Sequence, residues 1–280
     1  MVNDVRHFSW SLEELARAAK AEVIGGGIPD TIEAVGTDSR SQPPGCLFIA
    51  LRGENFDGHR FLREAVDQGA RALLVDRKAS SSPEMLKSLG VPVLVVDDTL
   101  QGYGNIAAYH RRELARPVAA ITGSNGKTTT KELLAAALGA RGAIHKTLGN
   151  FNNLVGVPKT ILDWKAYEWA AVVEMGMSVP GEIKRLVDIA APSVGAITNV
   201  SAAHLEGLGS IEAVARAKGE LFDGLPDNAI GIVNADDPMI QNICLPLLRN
   251  RGRLTFGELS SADIRIVDYR NTLDGLYVHL

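Results

Sequence analysis

Cysteine is scarce in this chain of 280 residues: Cys46 and Cys244 are the two it has, far apart in sequence. That spacing gives no disulfide framework and no metal-ligand pattern, so both read as buried free thiols in a reducing compartment. Long apolar runs are missing as well. Nothing approaches the roughly 18 consecutive apolar residues of a membrane-spanning helix, so no membrane insertion is expected. The opening stretch MVNDVRHFSW has no apolar signal core, and a cytoplasmic location is expected. Positive charge is not in excess: 29 Lys and Arg stand against 33 Asp and Glu, a net charge of −4. A protein that coats nucleic acid needs a basic surface, so that class is excluded. Internal repeats and low-complexity segments are absent. What remains is globular in character, with 46% hydrophobic and 22% charged residues. The length allows about two domains and a sizeable core.

The first stretch, residues 1–114, reads as one unit of mixed α/β character. Ser11 caps a helix with apolar face Leu12, Leu15, Ala16 and Ala19, and Glu14 stands at the capping-box position. Cys46 to Leu51, Arg71 to Val75 and Val91 to Val96 read as strands, Phe61 to Gly69 as a helix, and Ser80 to Pro83 as a loop. Thr99 to Leu114 reads as a helix leading to a boundary at Arg116-Pro117, with Arg111-Arg112 on a solvated face. Residues 115–280 then alternate regularly. Strands are expected at Val118–Thr122, Ala170–Glu174, Val194–Thr198 and Ala229–Val233. Helices are expected at Lys127–Ala140, Gly181–Ala190, Ile211–Phe222 and Pro238–Leu248. Apolar strands alternating with helices predict a mostly parallel sheet covered on both faces. A closing hairpin of Arg265–Val267 and Leu276–Leu280 is expected around Asp274-Gly275.

The most informative segment is Thr122-Gly123-Ser124-Asn125-Gly126-Lys127-Thr128-Thr129-Thr130, between an apolar strand and a helix. Glycines let the backbone wrap an anion, and the helix N-terminus adds positive potential. Lys127 is placed to reach β- and γ-phosphates, and the Thr128 hydroxyl to ligate Mg²⁺. The spelling is a shortened phosphate loop, G-x-x-G-K-T, since Ile121 stands where the longer form has glycine. Glu174 ends an apolar strand, so its carboxylate should emerge at the carboxyl edge of the sheet as a hard oxygen ligand; a solvated strand-end charge is the alternative. Lys218, on composition alone, reads as an exposed helix lysine. Asn152 and Asn153 suit either a turn or a substrate contact. Asn199 follows a strand, and Asn234-Ala235-Asp236-Asp237 suits nucleotide contact or helix capping.

Together these segments resemble the Mur ligases, the ATP-dependent amide-bond-forming enzymes of peptidoglycan assembly. Thr37-Asp38-Ser39-Arg40, Pro44 to Ala50 and Asp57-Gly58-His59 resemble the family's UDP-sugar-binding first domain. Thr122 to Lys131, Asn152 to Pro158, Glu174-Met175-Gly176-Met177, Thr198-Asn199, Ala203-His204-Leu205-Glu206 and Ala217-Lys218-Gly219-Glu220 resemble its ATP domain. Glu-Met-Gly-Met and Ala-His-Leu-Glu favour the branch that joins D-alanyl-D-alanine to UDP-N-acetylmuramoyl-tripeptide. The resemblance implies an α/β protein: a small mixed UDP-binding domain (1–114), then a phosphate-loop, mostly parallel ATP-binding domain (115–280). It implies ATP and two Mg²⁺ ions, a monomer, and an acyl-phosphate route with no side-chain nucleophile.

By the same resemblance Gly123, Ser124, Asn125, Gly126, Lys127, Thr128 and Thr129 hold ATP. Thr128, Glu174, His204 and a carbamylated Lys218 serve the metal ions, and Lys127, Lys218 and His204 are the catalytic set. Ser39, Arg40, Asn152 and Asn153 become candidate substrate contacts, the first two toward the UDP moiety. The family continues past the counterpart of Leu280 with an adenine-holding helix and a third domain. The chain as given is therefore expected to bind ligands but to ligate poorly, and a binding-only module or another Mur-type ligase stays open.

Overall fold

The computed structural model describes residues 9–27, 31–78, 83–202, 208–272 and 275–280. It divides into two compact units: Met1–Glu113 with Ile161–Ala166, and Leu114–Thr160 with Tyr167–Leu280. The return of 161–166 to the first unit is marked by no shift in composition. No described helix is long and apolar enough to cross a membrane.

In the first unit Ser11 caps α1 (Leu12–Ala19), accepting from Glu14 N at 3.1 Å while its own N–H donates to Glu14 Oε2 at 2.8 Å. The helix buries the expected face. Strands β1 (Glu22–Ile24), β2 (Val35–Gly36) and β3 (Leu47–Ile49) precede a small hairpin of β4 (Arg52–Gly53) and β5 (Phe56–Asp57). Then come α2 (Leu62–Asp67), β6 (Ala72–Asp76), α3 (Pro83–Lys87), β7 (Val93–Val96) and α4 (Thr99–Leu114). The five-stranded sheet has the order β1-β7-β6-β3-β2 and is parallel except for β1. Because side chains alternate along a strand, the sheet feeds two cores. Leu47, Ile49, Leu74 and Leu94 pack with Leu15, Tyr103 and Ile106, whereas Phe48, Leu73, Val75 and Val95 pack with Leu62, Ala65 and Leu86. Truncating one of these fully buried leucines to alanine costs about 2–5 kcal/mol.

Two expectations need correction here. Arg111 is buried, with its guanidinium 5.7 Å from the centroid of the Trp164 ring, and burial lowers its pKa. The cause is tertiary: Trp164 arrives from the returning segment and covers that face of α4. Arg112 is exposed. Pro83 opens α3 instead of ending a loop, since proline suits the first helical position; residues 80–82 lie outside the described residues.

The second unit has a seven-stranded sheet, and all its pairings are parallel. In chain order it runs β8 (Val118–Thr122), α5 (Lys127–Gly139), β9 (Ile144–Lys146), α6 (Gly156–Leu162), β10 (Ala170–Glu174), α7 (Glu182–Ala190) and β11 (Val194–Ile197). There follow α8 (Ile211–Asp223), β12 (Ile230–Asn234), β13 (Gly252–Gly257), β14 (Ile264–Arg265) and a separate hairpin of β15 (Asp268–Thr272) and β16 (Gly275–His279). The spatial order β14-β13-β12-β11-β8-β10-β9 reverses direction around β8. Ligands of open α/β sheets bind at such a reversal, beyond the carboxyl ends of the strands.

The closing hairpin differs from the expected one. Its arms are β15 and β16, while Ile264–Arg265 extends the parallel sheet beside Phe256–Gly257. Asp263 is the reason: its carboxylate accepts Thr255 N at 2.8 Å and Thr255 Oγ1 at 2.7 Å, turning the chain alongside β13. Asp274 of the turn lies outside the described residues. The helix expected at Pro238–Leu248 changes pitch, with a π turn at Ile240–Cys244 and a 3₁₀ turn at Leu245–Leu248. Pro246 has no N–H to continue an α-helical ladder. Cys46 and Cys244 are free and buried, and desolvation pushes their thiols up to about 11 and about 12.

Candidate functional site

The carboxyl ends of β10, β8 and β11 lie side by side, and the residues of interest sit there. Thr122 ends β8, and the chain then turns through Gly123 into the loop. Gly123 has φ +150°, and a Cβ at this position would lie 1.9 Å from Thr198 Oγ1, so no side chain fits. Gly126, at φ +79°, caps α5. The first intrahelical bond is Thr130 N to Gly126 O. The N–H groups of Lys127, Thr128 and Thr129 therefore have no carbonyl of their own helix to bond, and they form the positive end of its dipole. Lys127 Nζ folds back onto the loop and donates to Gly123 O at 2.8 Å and Ser124 O at 3.3 Å.

The segment after β11 straps this loop. Ser124 N donates to Asn199 O at 2.9 Å, and Asn125 N donates to Asn199 Oδ1 at 3.0 Å. Asn199 Nδ2 returns a bond to Asn125 O at 3.0 Å, and Thr198 Oγ1 donates to the same carbonyl at 2.7 Å. The Asn199 side chain thus pairs with the Asn125 peptide as a neighbouring strand would. The backbone donors of Ser124 and Asn125 are consequently engaged, and those left to face an anion are at the start of α5. The strap is itself held from β12: Asn234 Nδ2 donates to Thr198 O, and Val200 N donates to Asp237 Oδ2. Asp237 also accepts Met239 N and Ile240 N, so the Asn-Ala-Asp-Asp segment caps a helix and anchors the strap.

Glu174 is 2% exposed, which removes the solvated-charge reading. Its Oε2 accepts the Thr128 hydroxyl at 2.9 Å and its Oε1 accepts Asn152 Nδ2 at 2.9 Å. Asn152 is brought there by a tight loop. Asn153 Oδ1 accepts Val155 N and Gly156 N, which starts α6. A Cβ on Gly156 would sit 2.3 Å from the Phe151 carbonyl carbon, so the loop closes this far with glycine alone. Asn153 thus performs turn chemistry, while Asn152 reaches the carboxylate. Lys218 is buried on α8, and burial, with Lys127 nearby, lowers its pKa to about 8. The exposed-lysine reading does not hold. His204 lies outside the described residues. Among the described residues no group of three or more His, Cys, Asp or Glu converges as a preformed metal centre. The Glu174 carboxylate and the Thr128 hydroxyl are nonetheless hard oxygen donors in contact, a pair suited to Mg²⁺.

The residues singled out in the first unit behave differently. Ser39 is buried and donates to Glu64 Oε1 at 3.1 Å. Arg40 is exposed and forks onto Asp38, which lowers the Asp38 pKa to about 2. Asp57 accepts from His59 N, and its carboxylate lies 2.7 Å from His59 Nδ1. His59 Nε2 accepts Asp76 N at 3.0 Å, and Arg52 bridges Asp57 and Asp76. A cleft of about 270 Å³ at this sheet edge is lined by Arg52, Asp76, Lys78, Asp97, Asp98 and Thr99, without Ser39 or Arg40.

Residues 121–280 match the Mur ligase middle domain, and residues 31–111 match the Mur ligase family catalytic domain. The chain is 44% identical over 229 residues to the UDP-N-acetylmuramoyl-tripeptide–D-alanyl-D-alanine ligase of Escherichia coli K12, covering 82% of this chain and 48% of that protein. It is 40% identical over 250 residues to the enzyme of the same name from Bacillus subtilis 168, covering 87% and 54%. Among solved structures it resembles MurF from Acinetobacter baumannii, with a TM-score of 0.86 and 30% identity over 98% of this chain and 61% of that one. MurF from Thermotoga maritima, solved in complex with ADP, gives a TM-score of 0.74 and 32% identity over 88% and 57%. The chain spans about half the length of the curated relatives it matches. It belongs to the Mur ligase family, whose members generally use ATP and Mg²⁺.

Proposed function

We propose that the chain is the UDP-substrate-binding and ATP-binding part of a cytoplasmic ligase that joins D-alanyl-D-alanine to UDP-N-acetylmuramoyl-tripeptide. The observation that carries this reading is the buried Glu174–Thr128 contact beside a glycine loop and a buried lysine, in a chain whose relatives bear that name. The first unit takes the UDP-muramoyl peptide, and the second takes ATP.

The start of α5 receives the phosphates through the N–H groups of Lys127, Thr128 and Thr129. Lys127, released from the loop carbonyls, neutralises the β- and γ-phosphates. Thr128 and Glu174, with His204 and a carbamylated Lys218, would hold Mg²⁺, which when bound supplies charge neutralisation between groups that otherwise repel. Asn152 orients the Glu174 carboxylate. Carbamylation requires a neutral amine, and with a pKa near 8 roughly a tenth of Lys218 is neutral at pH 7. The peptide carboxylate attacks the γ-phosphate of ATP, giving an acyl phosphate and ADP, and the amine of D-alanyl-D-alanine then displaces phosphate from the acyl carbon, with loss of a proton, to form the amide. The protein contributes positioning and electrostatics to this step and no nucleophile.

The test is phosphate release and product formation with UDP-N-acetylmuramoyl-tripeptide, ATP, Mg²⁺ and D-alanyl-D-alanine. This chain is compared with the same chain extended at its C-terminus to the length of its relatives. Ligation that is specific for these substrates in the extended chain and lost on Lys127→Ala is the expected result. Turnover with a different UDP-muramoyl acceptor or amine, and none with these, would refute the assignment.

A further inference from the structure

Lys131 is a buried cation with no part in the scheme above. It stands one turn beyond Lys127 on α5 and is 1% exposed. Its Nζ donates to Thr147 O at 2.8 Å and lies 3.1 Å from Glu132 Oε1. Burying an ammonium is costly unless it is paired and hydrogen-bonded, so the contact with Thr147 is a specific one. Thr147 is fully buried just past the end of β9. Its N–H donates to Val172 O at 3.1 Å, continuing the β9–β10 ladder by one rung. Its hydroxyl accepts the N–H of Glu174 at 3.0 Å.

These bonds close a ring. From α5, Lys131 grips Thr147; Thr147 grips the backbone of Glu174; the Glu174 carboxylate returns to Thr128, three residues before Lys131 on the same helix face. The last residue of β10 is therefore fixed at its peptide as well as at its carboxylate. Groups that fix a ligating carboxylate commonly matter to metal affinity nearly as much as the ligand itself.

We infer that Thr147, backed by Lys131, is a positioning residue that sets the Glu174 carboxylate against the Thr128 hydroxyl for divalent-metal binding. This rests on the metal role proposed above for Glu174 and Thr128. The experiment is Mn²⁺ binding to the whole chain, read by electron paramagnetic resonance with a non-hydrolysable ATP analogue present. Glu174→Gln is the reference. Thr147→Val, of equal shape but without the hydroxyl, is compared with Thr147→Ser, which retains it. Melting curves confirm that each variant is folded at the temperature used. Thr147→Val should weaken Mn²⁺ binding by about 10–100-fold and Thr147→Ser by no more than about threefold. If Thr147→Val binds as the native chain does while Glu174→Gln does not, the inference fails and the role of Glu174 stands. If Glu174→Gln binds normally, the metal reading falls and the inference with it. Equal losses in Thr147→Ser and Thr147→Val would mark a packing role and overturn the inference. Should Thr147→Val not fold, Lys131→Met tests the same ring: weakened Mn²⁺ binding supports it, and unchanged affinity in a folded chain overturns it.

Discussion

The carboxyl edges of the two sheets carry similar residue types and use them in opposite ways. At the first sheet the charged groups cancel one another. Arg40 forks onto Asp38, Arg52 joins Asp57 to Asp76, and His59 is held between Asp57 and a backbone N–H. At the second sheet charge is buried and only partly compensated. Glu174 has two neutral donors, Lys127 rests on carbonyls of its own loop, and Lys218 is held with a depressed pKa. The charges of the first edge are paired with one another, whereas those of the second are left partly uncompensated. Strained or undercompensated electrostatics of the second kind mark functional sites.

The largest effect expected from this contrast is at Lys127. Lys127→Ala should lower affinity for a non-hydrolysable ATP analogue by roughly 100-fold, the scale of a lost charge-assisted contact, with the melting temperature nearly unchanged. Isothermal titration calorimetry with Mg²⁺ present measures it. Native affinity in a folded variant would mean that the second edge holds no phosphate. Next comes Lys218. Its folded pKa, about 8, lies below the ordinary 10.5, so between these values the unfolded chain binds more protons and stability rises with pH. Below pH 8 the penalty is complete. Lys218→Met should therefore stabilise the fold at pH 7 by something on the order of 1–3 kcal/mol, with the gain shrinking toward pH 10. Urea melts at several pH values read this out, and a destabilised variant at pH 7 would show that the buried ammonium is well compensated.

The smallest effect is at Arg40. Its ion pair with Asp38 is exposed and screened, so Arg40→Ala should lower the melting temperature at pH 7 by about a degree or two at most. Asp38 has a folded pKa of about 2 against an ordinary 3.8, so the contribution is present above pH 3.8 and is lost as pH falls through 2. Calorimetric scans from pH 2 to pH 7 give the comparison. A large loss would mean that this exposed pair is not screened by solvent as the comparison requires.

The four central strands β10, β8, β11 and β12 of the second unit, with helices α5, α7 and α8, were legible, because each of these strands is short, apolar and followed by a recognisable cap or glycine; β9, β13 and α6 were not, and β14 was legible only as part of a hairpin it does not form. The Ser11 capping box and the run Thr99–Leu114 were legible for the same reason. Lys131, Thr147 and Ser201 were not. Ser201 N donates to Ser124 Oγ at 2.9 Å across 77 residues, and no local pattern announces such a bond. One signal was available for Lys131: it falls four residues after Lys127, on the same face of a helix whose start points at the sheet edge.

By itself the sequence determined most of the elements, the glycine loop and the family, since periodicity, caps and glycine spacing are local properties of the chain. It also determined that Glu174 would stand at a strand end. Which charges are buried was decided by the tertiary structure. Arg111, Lys131 and Lys218 each sit on a helix where composition permits exposure, yet all three are buried, Arg111 against Trp164 and Lys131 against Thr147. Burial depends on what arrives from elsewhere in the chain, and the protonation state of Lys218 and the orientation of Glu174 follow from that arrival.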